Sequence, residues 1–355
     1  MQNSFNWVDC RSVAERNGTT FNFFIGGRGT GKTYGVLTKQ RDDIRAGKDA
    51  RYMYMRLSQT ELDGCATELD NPYKRINIKL GTKIGLDSVP KSTAYIIKDK
   101  TDEEGELILG VARSLSSFHN LRGADFSDIK EIYFDEFIPT ETLRKTPEIK
   151  HAGYLFNQAY ETINRNRELE GEPPVRVYFT ANAFSLDSNI LAEFGLIEVI
   201  EHMQRIGQKK WTDREASIYV ELIDRPDIAE AKKQTALYKA QARNKKLLAI
   251  NIENKFADAA LALTNKNVKL IEYAPIFTFN DELTLFSHKS TGAWHIVGRG
   301  YQGVKESYRR EMREKMLLKW GAAVRIAMKD RAITFDSVNT YYLTERVFDK
   351  TLKVY

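Results

Sequence analysis

The sequence has little of what marks secreted, membrane-embedded or zinc-stabilised proteins. Only two of its 355 residues are cysteine, too few for a disulfide framework, which favours a reducing, cytoplasmic setting. No Cys/His cluster has the spacing of a zinc site. No run of about 18 apolar residues would cross a membrane, and the polar segment 1–16 lacks the apolar core of a signal peptide. We therefore expect a cytoplasmic protein with no membrane partner.

Length and charge are more informative. The chain is long enough for two or three domains, and 42% of its residues are hydrophobic. The net charge is +6, and the basic excess lies toward the C-terminus. Segment 299–331 holds ten Lys/Arg against four Asp/Glu, and segment 225–246 holds seven against two. Solvated helix faces and contact with a nucleic acid explain this pattern equally well, so the charge permits a polyanionic partner without requiring one.

Strand-like and helix-like segments alternate over the first two hundred residues. The predicted strands are Thr20–Ile25, Arg51–Met55, Ala94–Lys98, Glu106–Val111, Glu131–Phe134 and Val175–Thr180. The predicted helices are Thr33–Arg45 and Tyr154–Arg165. Strands that alternate with helices predict an α/β domain whose mostly parallel sheet is covered on both faces.

The pattern changes after residue 186. A helix is predicted over Asp187–Met203, with Asp187 or Ser188 as its N-cap, and a long exposed helix over Ile228–Ala249. Short strands follow at Val268–Tyr273, Pro275–Phe279, Leu283–Ser287 and Trp294–Val297, then a helix over Val304–Trp320 and last strands near Thr334 and Tyr341–Leu343. The chain thus divides into three predicted parts, residues 1–200, a helical linker over 201–255 and a smaller α+β domain over 256–355.

A phosphate-binding loop follows the first strand. Residues 26–33 read GGRGTGKT and match G-x-x-x-x-G-K-[ST] in full, between an apolar strand and a helix. The glycines let several backbone N–H groups converge on a phosphate at a helix N-terminus, so a glycine-rich turn with a chance lysine is the weaker reading. Lys32 would reach the β- and γ-phosphates of ATP, and the Thr33 hydroxyl would ligate Mg²⁺. The predicted nucleotide-binding residues of this loop are Gly26, Gly27, Arg28, Gly29, Thr30, Gly31, Lys32 and Thr33.

The second half of an ATPase site is an apolar strand that ends in acids, and segment 132–136 (IYFDE) supplies it. Asp135 would hold Mg²⁺, and Glu136 would polarise the attacking water as general base. The strand that ends at Ala181 is followed by Asn182, whose amide would sense the γ-phosphate. The alternatives are two carboxylates at a solvated strand end and, for Asn182, a turn residue with local backbone bonds.

Three arginines are candidates to complete a neighbouring subunit's site, because a fixed guanidinium best meets the charge that develops on the γ-phosphate. Arg165 and Arg167 lie at the end of a predicted helix, where cations are also favoured for purely structural reasons. Arg122 lies in a turn ahead of the Asp135-Glu136 strand, where it is otherwise a solvated loop residue.

Five segments together, FFIGGRGTGKTYG, RYMYMR, EIYFDEF, INRNRE and VYFTANA, have the order and spacing of the DNA-packaging ATPases of small tailed phages, the phi29-like group. The sequence resembles this family over its first two hundred residues and more weakly beyond them. The resemblance implies a P-loop ATPase domain of the additional-strand, catalytic-glutamate type. In such domains an extra strand lies between the P-loop strand and the Asp-Glu strand.

The same resemblance implies a homomeric ring, a pentamer, at the portal of an empty capsid in the host cytoplasm. The ring would use ATP to translocate double-stranded DNA, with the portal protein and a structural RNA as further partners. Lys32, Thr33, Asp135 and Glu136 would form the cis site, and Arg165 and Arg122 would act in trans. Arg56 occupies a position that is basic in family members.

The resemblance also implies a C-terminal domain similar to RNase H-type nucleases. Such nucleases use several carboxylates around two metals, whereas the acids here are scattered or lie in turns: Asp281, Glu282, Asp336 and Asp349. We therefore expect a degenerate nuclease fold without cutting activity, whose basic helix binds DNA, the portal or RNA. Predicted DNA contacts are Arg56, Lys209, Lys210 and Arg214.

Rival functions remain open at this point. The first is a terminase that also cleaves DNA, and the second is a P-loop nucleotide kinase or other phosphotransferase that does not package. The third is a binding module with a silent P-loop. Glu136 directly after Asp135 argues against the kinase, and the intact pair of motifs argues against the silent module.

Overall fold

A computed structural model describes residues 8–102, 105–121, 125–140, 151–182, 185–240 and 263–348, together with 143, 146, 149 and 260. The chain folds into two compact units. The first comprises Met1–Phe194 and Met203–Ala257, and the second comprises Gly195–His202 and Asp258–Tyr355. The division into three parts stays a prediction. Within the part of the chain that is described, no helix is long and apolar enough to cross a membrane, and the thiols of Cys10 and Cys65 are buried and free.

The first unit is built on a nine-stranded sheet. Its strands are β1 (Phe21–Gly26), β2 (Tyr52–Arg56), β3 (Ile84–Ser88), β4 (Tyr95–Asp99), β5 (Leu107–Ser114), β6 (Glu131–Asp135), β7 (Arg176–Ala181), β8 (Lys210–Asp213) and β9 (Ile218–Ile223). They lie in the order β3-β4-β5-β2-β6-β7-β1-β9-β8. The six strands from β5 to β9 in this order are parallel, and β3, β4 and β8 are antiparallel at the two edges.

Helices accompany this sheet in an alternating order. They are α1 (Cys10–Asn17), α2 (Lys32–Arg45), α3 (Gln59–Cys65), α4 (Lys74–Leu80) and α5 (Ala152–Asn164), with 3₁₀ turns at Leu115–Leu121 and Arg167–Glu170. The predicted α/β fold with a mostly parallel sheet is therefore confirmed. So is the intervening strand, because β7 pairs with β1 on one side and with β6 on the other. The strands predicted at Ala94–Lys98 and Glu106–Val111 are β4 and β5, which pair as antiparallel neighbours.

The core beneath the central strands is aromatic. Phe23 of β1 stacks on Phe179 of β7 with ring centroids 4.2 Å apart, and Phe134, Phe137 and Phe156 pack against Phe179. All five side chains are buried. Large rings in contact across neighbouring strands bury much apolar area for few ordered torsions, so they fix the spacing of the strands that carry the site.

A buried ionic cluster lies at the amino end of the same strands. The Arg11 guanidinium of α1 donates to both carboxylate oxygens of Glu131, at 3.0 and 2.9 Å, and to Asp43 of α2. Gln40 and Tyr178 also donate to the Glu131 carboxylate, at 3.0 and 3.1 Å. Because each buried carboxylate has several donors, the cluster ties α1 and α2 to β6 and β7.

The helix predicted over Asp187–Met203 is wrong in one respect. Two helices occupy the segment, α6 (Asn189–Glu193) and α7 (Leu196–Ile206). The break falls at Gly195, whose φ of 65° is left-handed and ends the first helix. Of the two N-cap candidates, Ser188 is the one that caps α6.

The long helix predicted over Ile228–Ala249 is likewise divided. The structure has α8 (Pro226–Lys233) and α9 (Ala236–Ala240), and residues 241–249 lie outside the described residues. Helix α8 begins at a proline, which needs no hydrogen-bond acceptor at the first helical position.

The second unit contains a five-stranded sheet. Its strands are β10 (Tyr273–Phe279), β11 (Leu283–His288), β12 (Trp294–Val297), β13 (Glu306–Tyr308) and β14 (Ile333–Phe335). Their order is β13-β10-β11-β12-β14, with β10, β11 and β12 antiparallel and the two edge strands parallel to their neighbours. Four of the predicted strands are confirmed, including the one near Thr334 as β14, whereas Val268–Tyr273 contains a 3₁₀ turn at Leu270–Glu272. The RNase H-type likeness stays a prediction.

The last helices differ from the predicted ones. Segment Val304–Trp320 includes strand β13 before a 3₁₀ turn at Arg310–Met312, and the helix then runs through α10 (Arg313–Met316), a π-helical turn at Leu317–Gly321 and α11 (Ala322–Lys329). The strand predicted at Tyr341–Leu343 is wrong, because α12 (Val338–Phe348) covers it. Aromatic residues such as Tyr341 and Tyr342 have a high propensity for strands. Both tyrosines are buried on α12, so tertiary packing outweighs their strand propensity.

Candidate nucleotide site

The P-loop, Asp135, Glu136 and Asn182 meet at the carboxyl ends of β1, β7 and β6. These three strands are adjacent and parallel, with Ile25 opposite Ala181 and Asp135 opposite Thr180. The loop that follows β1 carries the P-loop, and Glu136 follows β6 directly. Neighbouring parallel strands end at one edge of the sheet, so motifs separated by about a hundred residues become neighbours, as in other open α/β sheets.

The P-loop has the backbone that its glycines predict. Gly29 and Gly31 have φ values of 74° and 94°, a region that side chains disfavour, and Gly31 is the N-cap of α2. Lys32 is buried, and its Nζ donates to the carbonyls of Gly26 and Gly27 at 3.0 Å each. The loop therefore curls around its own lysine at the amino end of a helix, the arrangement that binds phosphate.

Asp135 is held by hydroxyl groups from four strands and helices. The Thr33 hydroxyl lies 3.3 Å from its Oδ1, Thr180 donates at 2.7 Å, and Tyr133 donates at 2.9 Å. On the other side, Tyr54 of β2 donates to Oδ2 at 3.3 Å. These contacts fix the position of the Asp135 carboxyl group beside the Thr33 hydroxyl.

Arg56, at the end of β2, faces this carboxylate. Its guanidinium lies 3.5 Å from Oδ2 of Asp135 and 3.3 Å from Oε1 of Glu61, and its side chain is 15% exposed. Glu61 belongs to a capping box with Ser58 at the start of α3. This placement gives Arg56 two carboxylate partners next to the P-loop, and it does not support the predicted contact with DNA.

Glu136, directly after β6, and Asn182, directly after β7, are in contact with each other. The Asn182 amide donates to Oε1 of Glu136 at 2.7 Å, and its oxygen lies 3.5 Å from Lys32 Nζ. Glu136 has a left-handed φ of 53°, which turns its side chain out of the strand direction. Burial and the charge of Asp135 raise the pKa of the Glu136 carboxyl above its ordinary value. Burial also lowers the pKa of the Lys32 ammonium, against the opposing charge of Glu136.

A cavity of about 260 Å³ lies over these groups. Besides the P-loop, Glu136 and Asn182, it is lined by Tyr34 of α2 and Arg75 of α4. The sequence did not single out either residue. Tyr34 directly follows the motif, so adjacency was an available signal, whereas nothing local connects Arg75 to residue 32. Tyr54 and Tyr133 were also missed, although alternation along β2 and β6 places them on the same face as Arg56 and Asp135.

The donors present suit Mg²⁺, a hard cation that prefers hydroxyl, carboxylate, phosphate and water oxygens. The Thr33 hydroxyl and the Asp135 carboxylate lie 3.3 Å apart, which is close enough for both oxygens to face one ion. The described residues contain no group of three or more His, Cys, Asp or Glu arranged around a metal position. A site of this kind would therefore depend on a bound phosphate for further ligands.

The candidate trans-acting arginines have different surroundings. Arg165 is exposed and follows the last residue of α5 with a left-handed φ of 44°. Arg167 is buried and donates to the carbonyls of Ser127 and Ile129, at 2.5 and 2.8 Å. The buried guanidinium is therefore occupied inside the unit, which leaves Arg165 as the accessible member of the pair. Arg122 lies outside the described residues.

Three basic residues of the predicted linker, Lys209, Lys210 and Arg214, lie in or next to the edge strand β8. Lys209 pairs with Asp224 at 3.0 Å and Lys210 with Glu221 at 3.8 Å, and both side chains are more than half exposed. Arg214 is exposed at the turn after β8. Their contact with DNA stays a prediction.

The acids of the second unit have local partners. Asp336 accepts from the backbone N–H of Gly298 at 3.1 Å and from the Thr340 hydroxyl at 2.5 Å. Glu282 accepts from Asn280 and Arg310, at 2.9 and 3.2 Å. Asp281 lies in the turn between β10 and β11, and Asp349 is outside the described residues. These contacts give Asp336 and Glu282 roles in turn and helix-end structure.

Fold and site together define a P-loop protein in which one strand, β7, lies between the P-loop strand and the strand that ends in Asp135. The sequence model of the family described as podovirus DNA encapsidation protein (Gp16) matches residues 7–323, so this chain belongs to that family. Among curated proteins, sequence comparison finds no match.

Two solved structures resemble the chain over nearly its whole length. One is described as the Phi-28 gp11 DNA packaging motor, with 14% identity, a TM-score of 0.62 and coverage of 97% of this chain and 98% of that one. The other is the bacteriophage Phi-29 viral genome packaging motor assembly, with 15% identity, a TM-score of 0.60 and coverage of 97% and 99%. At these identities the likeness establishes the fold.

Proposed function

We propose that this chain hydrolyses MgATP to translocate double-stranded DNA into a preformed viral capsid, as one subunit of a homomeric ring at the portal. One observation carries the proposal. Thr33 lies 3.3 Å from Asp135, and Asn182 donates to the adjacent Glu136 at 2.7 Å, so the P-loop, the proposed Mg²⁺ ligand and the proposed base lie together at one sheet edge, which supports hydrolysis. Membership in a DNA encapsidation family supports packaging as the task that hydrolysis drives.

The P-loop would bind the nucleotide through its backbone N–H groups and Lys32. An ammonium has three N–H donors, and two of those on Lys32 are directed at the carbonyls of Gly26 and Gly27. The remaining donor has only the long contacts with Thr30 Oγ1 and Asn182 Oδ1, at 3.5 Å each, which a phosphate oxygen would replace. Thr33 and Asp135 would hold Mg²⁺, which shields phosphate charge during transfer.

Glu136 would act as the general base. It would accept a proton from water as the water oxygen bonds to the γ-phosphorus and the bond to the leaving ADP oxygen breaks, which yields ADP and phosphate. Its raised pKa suits this role, because a base is most effective when its pKa approaches the working pH. Asn182 would orient Glu136 until the γ-phosphate competes for the amide.

Arg165 would complete the site of a neighbouring subunit. It is exposed, whereas Arg167 is occupied by two carbonyls. A guanidinium supplied in trans couples hydrolysis in one subunit to the position of the next, which is what a ring motor requires. Arg122 is proposed as a second trans-acting residue on the resemblance alone. We assign Arg56 to positioning Asp135 rather than to DNA.

Contacts with DNA would be made to phosphates by exposed basic residues such as Lys209, Lys210 and Arg214. Phosphate contacts carry no sequence information and weaken steeply with salt. DNA-stimulated hydrolysis should therefore be independent of DNA sequence and should fall as salt rises. The basic segment 299–331 would bind DNA, the portal or a structural RNA, and we propose no cutting activity for the second unit.

The test is the steady-state ATPase rate per subunit against protein concentration, with and without double-stranded DNA. Wild type would be compared with Arg165→Ala and with Arg51→Ala. Arg51 is an exposed arginine that pairs with Asp128 at 3.0 Å at the amino end of β2, the sheet edge opposite the site. It is therefore a matched control for the loss of one surface arginine.

We expect the rate per subunit to rise with concentration and with DNA in wild type and Arg51→Ala, and to stay low in Arg165→Ala although ATP still binds. A rate that ignores concentration, DNA and Arg165 would refute the ring motor. Cleavage of plasmid DNA in the presence of Mg²⁺ or Mn²⁺ would instead favour a terminase with an active nuclease.

A further inference from the structure

Helix α8 brings a lysine from outside the P-loop motif onto the P-loop. Lys232 lies one residue before the end of α8 and donates to the backbone carbonyl of Arg28. A methyl group added at the Cα of Gly29 would lie 3.7 Å from both Cε and Nζ of Lys232. The ammonium group therefore sits against the turn of the phosphate-binding loop, although Lys232 is two hundred residues away in the chain.

The geometry of α8 explains why this lysine faces the loop. Ile228 is buried, and Lys232 follows it by four residues, so both side chains lie on the same face of the helix. The Arg225–Asp227 ion pair, at 2.5 Å, fixes the first turn. Lys233 points elsewhere and pairs with Glu230 at 2.7 Å. The helix thus presents one lysine to the P-loop and its neighbour to solvent.

The charge of Lys232 is incompletely matched. Among the described residues, no carboxylate lies within ion-pair distance of the Lys232 ammonium. The ammonium donates instead to the neutral backbone carbonyl of Arg28. Burial and the nearby charge of Arg28 lower the pKa of Lys232. The charge of Lys232 in turn contributes to the lowered pKa of Lys32. An ammonium has three donors, and a phosphate oxygen would supply the anionic acceptor that this one lacks.

We propose that Lys232 is a second phosphate-binding lysine of the nucleotide site, which contacts the terminal phosphates of ATP from outside the P-loop motif. This inference rests on the proposed function, because it requires that the P-loop bind a nucleoside triphosphate. It assigns to α8 a direct contact with the nucleotide, so the segment after β9 senses whether a γ-phosphate is present.

The test compares Lys232→Met, which keeps the unbranched chain of the side chain as far as Cε and removes its charge, with Lys232→Arg and with Lys233→Met as the matched control. The dissociation constants of fluorescent MgADP and of a non-hydrolysable MgATP analogue would be measured on the full chain, along with the thermal midpoint without nucleotide. We expect Lys232→Met to weaken the triphosphate about tenfold, as for the loss of one charge-assisted hydrogen bond, and to weaken the diphosphate less.

Lys232→Arg should restore most of the affinity, and Lys233→Met should match wild type. The ratio of the two dissociation constants separates a phosphate contact from a structural role, because a merely loosened P-loop would weaken both nucleotides equally. Equal weakening of both, or triphosphate binding by Lys232→Met that equals or exceeds that of Lys233→Met, would overturn the inference. Wild-type protein that binds no nucleotide would refute the proposed function itself.

Discussion

The side-chain amide of Asn182 donates a 2.7 Å hydrogen bond to Oε1 of Glu136, while its oxygen lies 3.5 Å from Nζ of Lys32. One amide directly after β7 thus lies between the P-loop lysine and the proposed base. A γ-phosphate that draws on Lys32 or Asn182 would change the orientation of Glu136, which links nucleotide state to the position of the base.

Replacement of Asn182 by alanine should slow turnover more than it weakens binding. Without the amide, Glu136 loses the contact that orients it, and misplacement of a catalytic group by about 1 Å costs on the order of 100-fold in rate. We expect kcat to fall by about that factor, with a change of less than about threefold in nucleotide affinity. Asn157→Ala is the control, because Asn157 forms a similar 2.8 Å bond with Glu193 away from the site. Equal rates in the two variants would disprove this role.

Glu136→Gln should bind MgATP and fail to hydrolyse it. The amide keeps the shape of the side chain but accepts no proton, and general-base catalysis contributes about 10²–10⁴-fold. Single-turnover assays with bound ATP measure the loss directly. Glu170→Gln, at an exposed position after α5, should match wild type. Hydrolysis at the wild-type rate by Glu136→Gln would assign the base to another residue.

The pH dependence of hydrolysis should report Glu136. Burial and Asp135 raise the pKa of its carboxyl, and the base acts only when deprotonated. The rate should therefore decline as pH falls, and the decline should begin at a higher pH than an ordinary glutamate would give. A profile of log kcat against pH tests this. The residual rate of Glu136→Gln should lack that acidic limb, so a limb that persists in the variant would contradict the assignment.

Replacement by alanine should lower the stability of the protein at Arg167 but not at Arg165, although the two residues are only two positions apart. Arg167→Ala leaves the carbonyls of Ser127 and Ile129 without their donor, which should cost about 1–3 kcal/mol of stability. Arg165→Ala removes an exposed side chain and should change stability by no more than about 0.5 kcal/mol. Urea-unfolding midpoints of the two variants measure the difference. A large loss for Arg165→Ala would show that its main role lies inside its own subunit.

Arg11→Ala should destabilise the first unit, by about 3–5 kcal/mol, because it leaves the buried Glu131 carboxylate without its guanidinium. Burial alone would raise the pKa of Asp43, but hydrogen bonds from Lys48, Lys39 and Arg11 hold it well below its usual range. A carboxylate with a depressed pKa stabilises the fold above its unfolded pKa, and this contribution disappears as pH falls through the folded value.

The wild-type midpoint in urea should therefore drop steeply in acid, at pH values below the ordinary range of aspartate. The drop should be smaller in Arg11→Ala, which has already lost part of the interaction. Arg16→Ala, at an exposed position on the same helix, is the control for the loss of one arginine. Parallel curves for wild type and Arg11→Ala would show that the cluster does not govern acid stability.

Much of the site was predictable because its chemistry is local. Eight consecutive residues define the P-loop, since the left-handed φ values at Gly29 and Gly31 favour glycine and α2 begins at Lys32. The acids at the end of β6 are equally local. Strand-to-helix alternation then predicts a mostly parallel sheet. The strand between β1 and β6 is implied by the resemblance to the packaging ATPases.

The wrong secondary-structure predictions share a physical cause. The helix predicted over Asp187–Met203 breaks at Gly195, where a single backbone conformation ends the first helix, and Tyr341–Leu343 is helical because both of its tyrosines are buried there. Periodicity and propensity describe one segment at a time, whereas these outcomes depend on what packs against the segment.

The sequence by itself determined that this protein has a phosphate-binding loop, an adjacent pair of acids and a parallel sheet to hold them. Only the tertiary structure decided which side chains surround those motifs. In the folded chain Arg167 is buried, whereas Arg165 is exposed. Arg56 lies beside Asp135, and Lys232 contacts the carbonyl of Arg28. Strand order and helix packing bring residues together across long separations in the chain, and no local pattern encodes a contact of that kind.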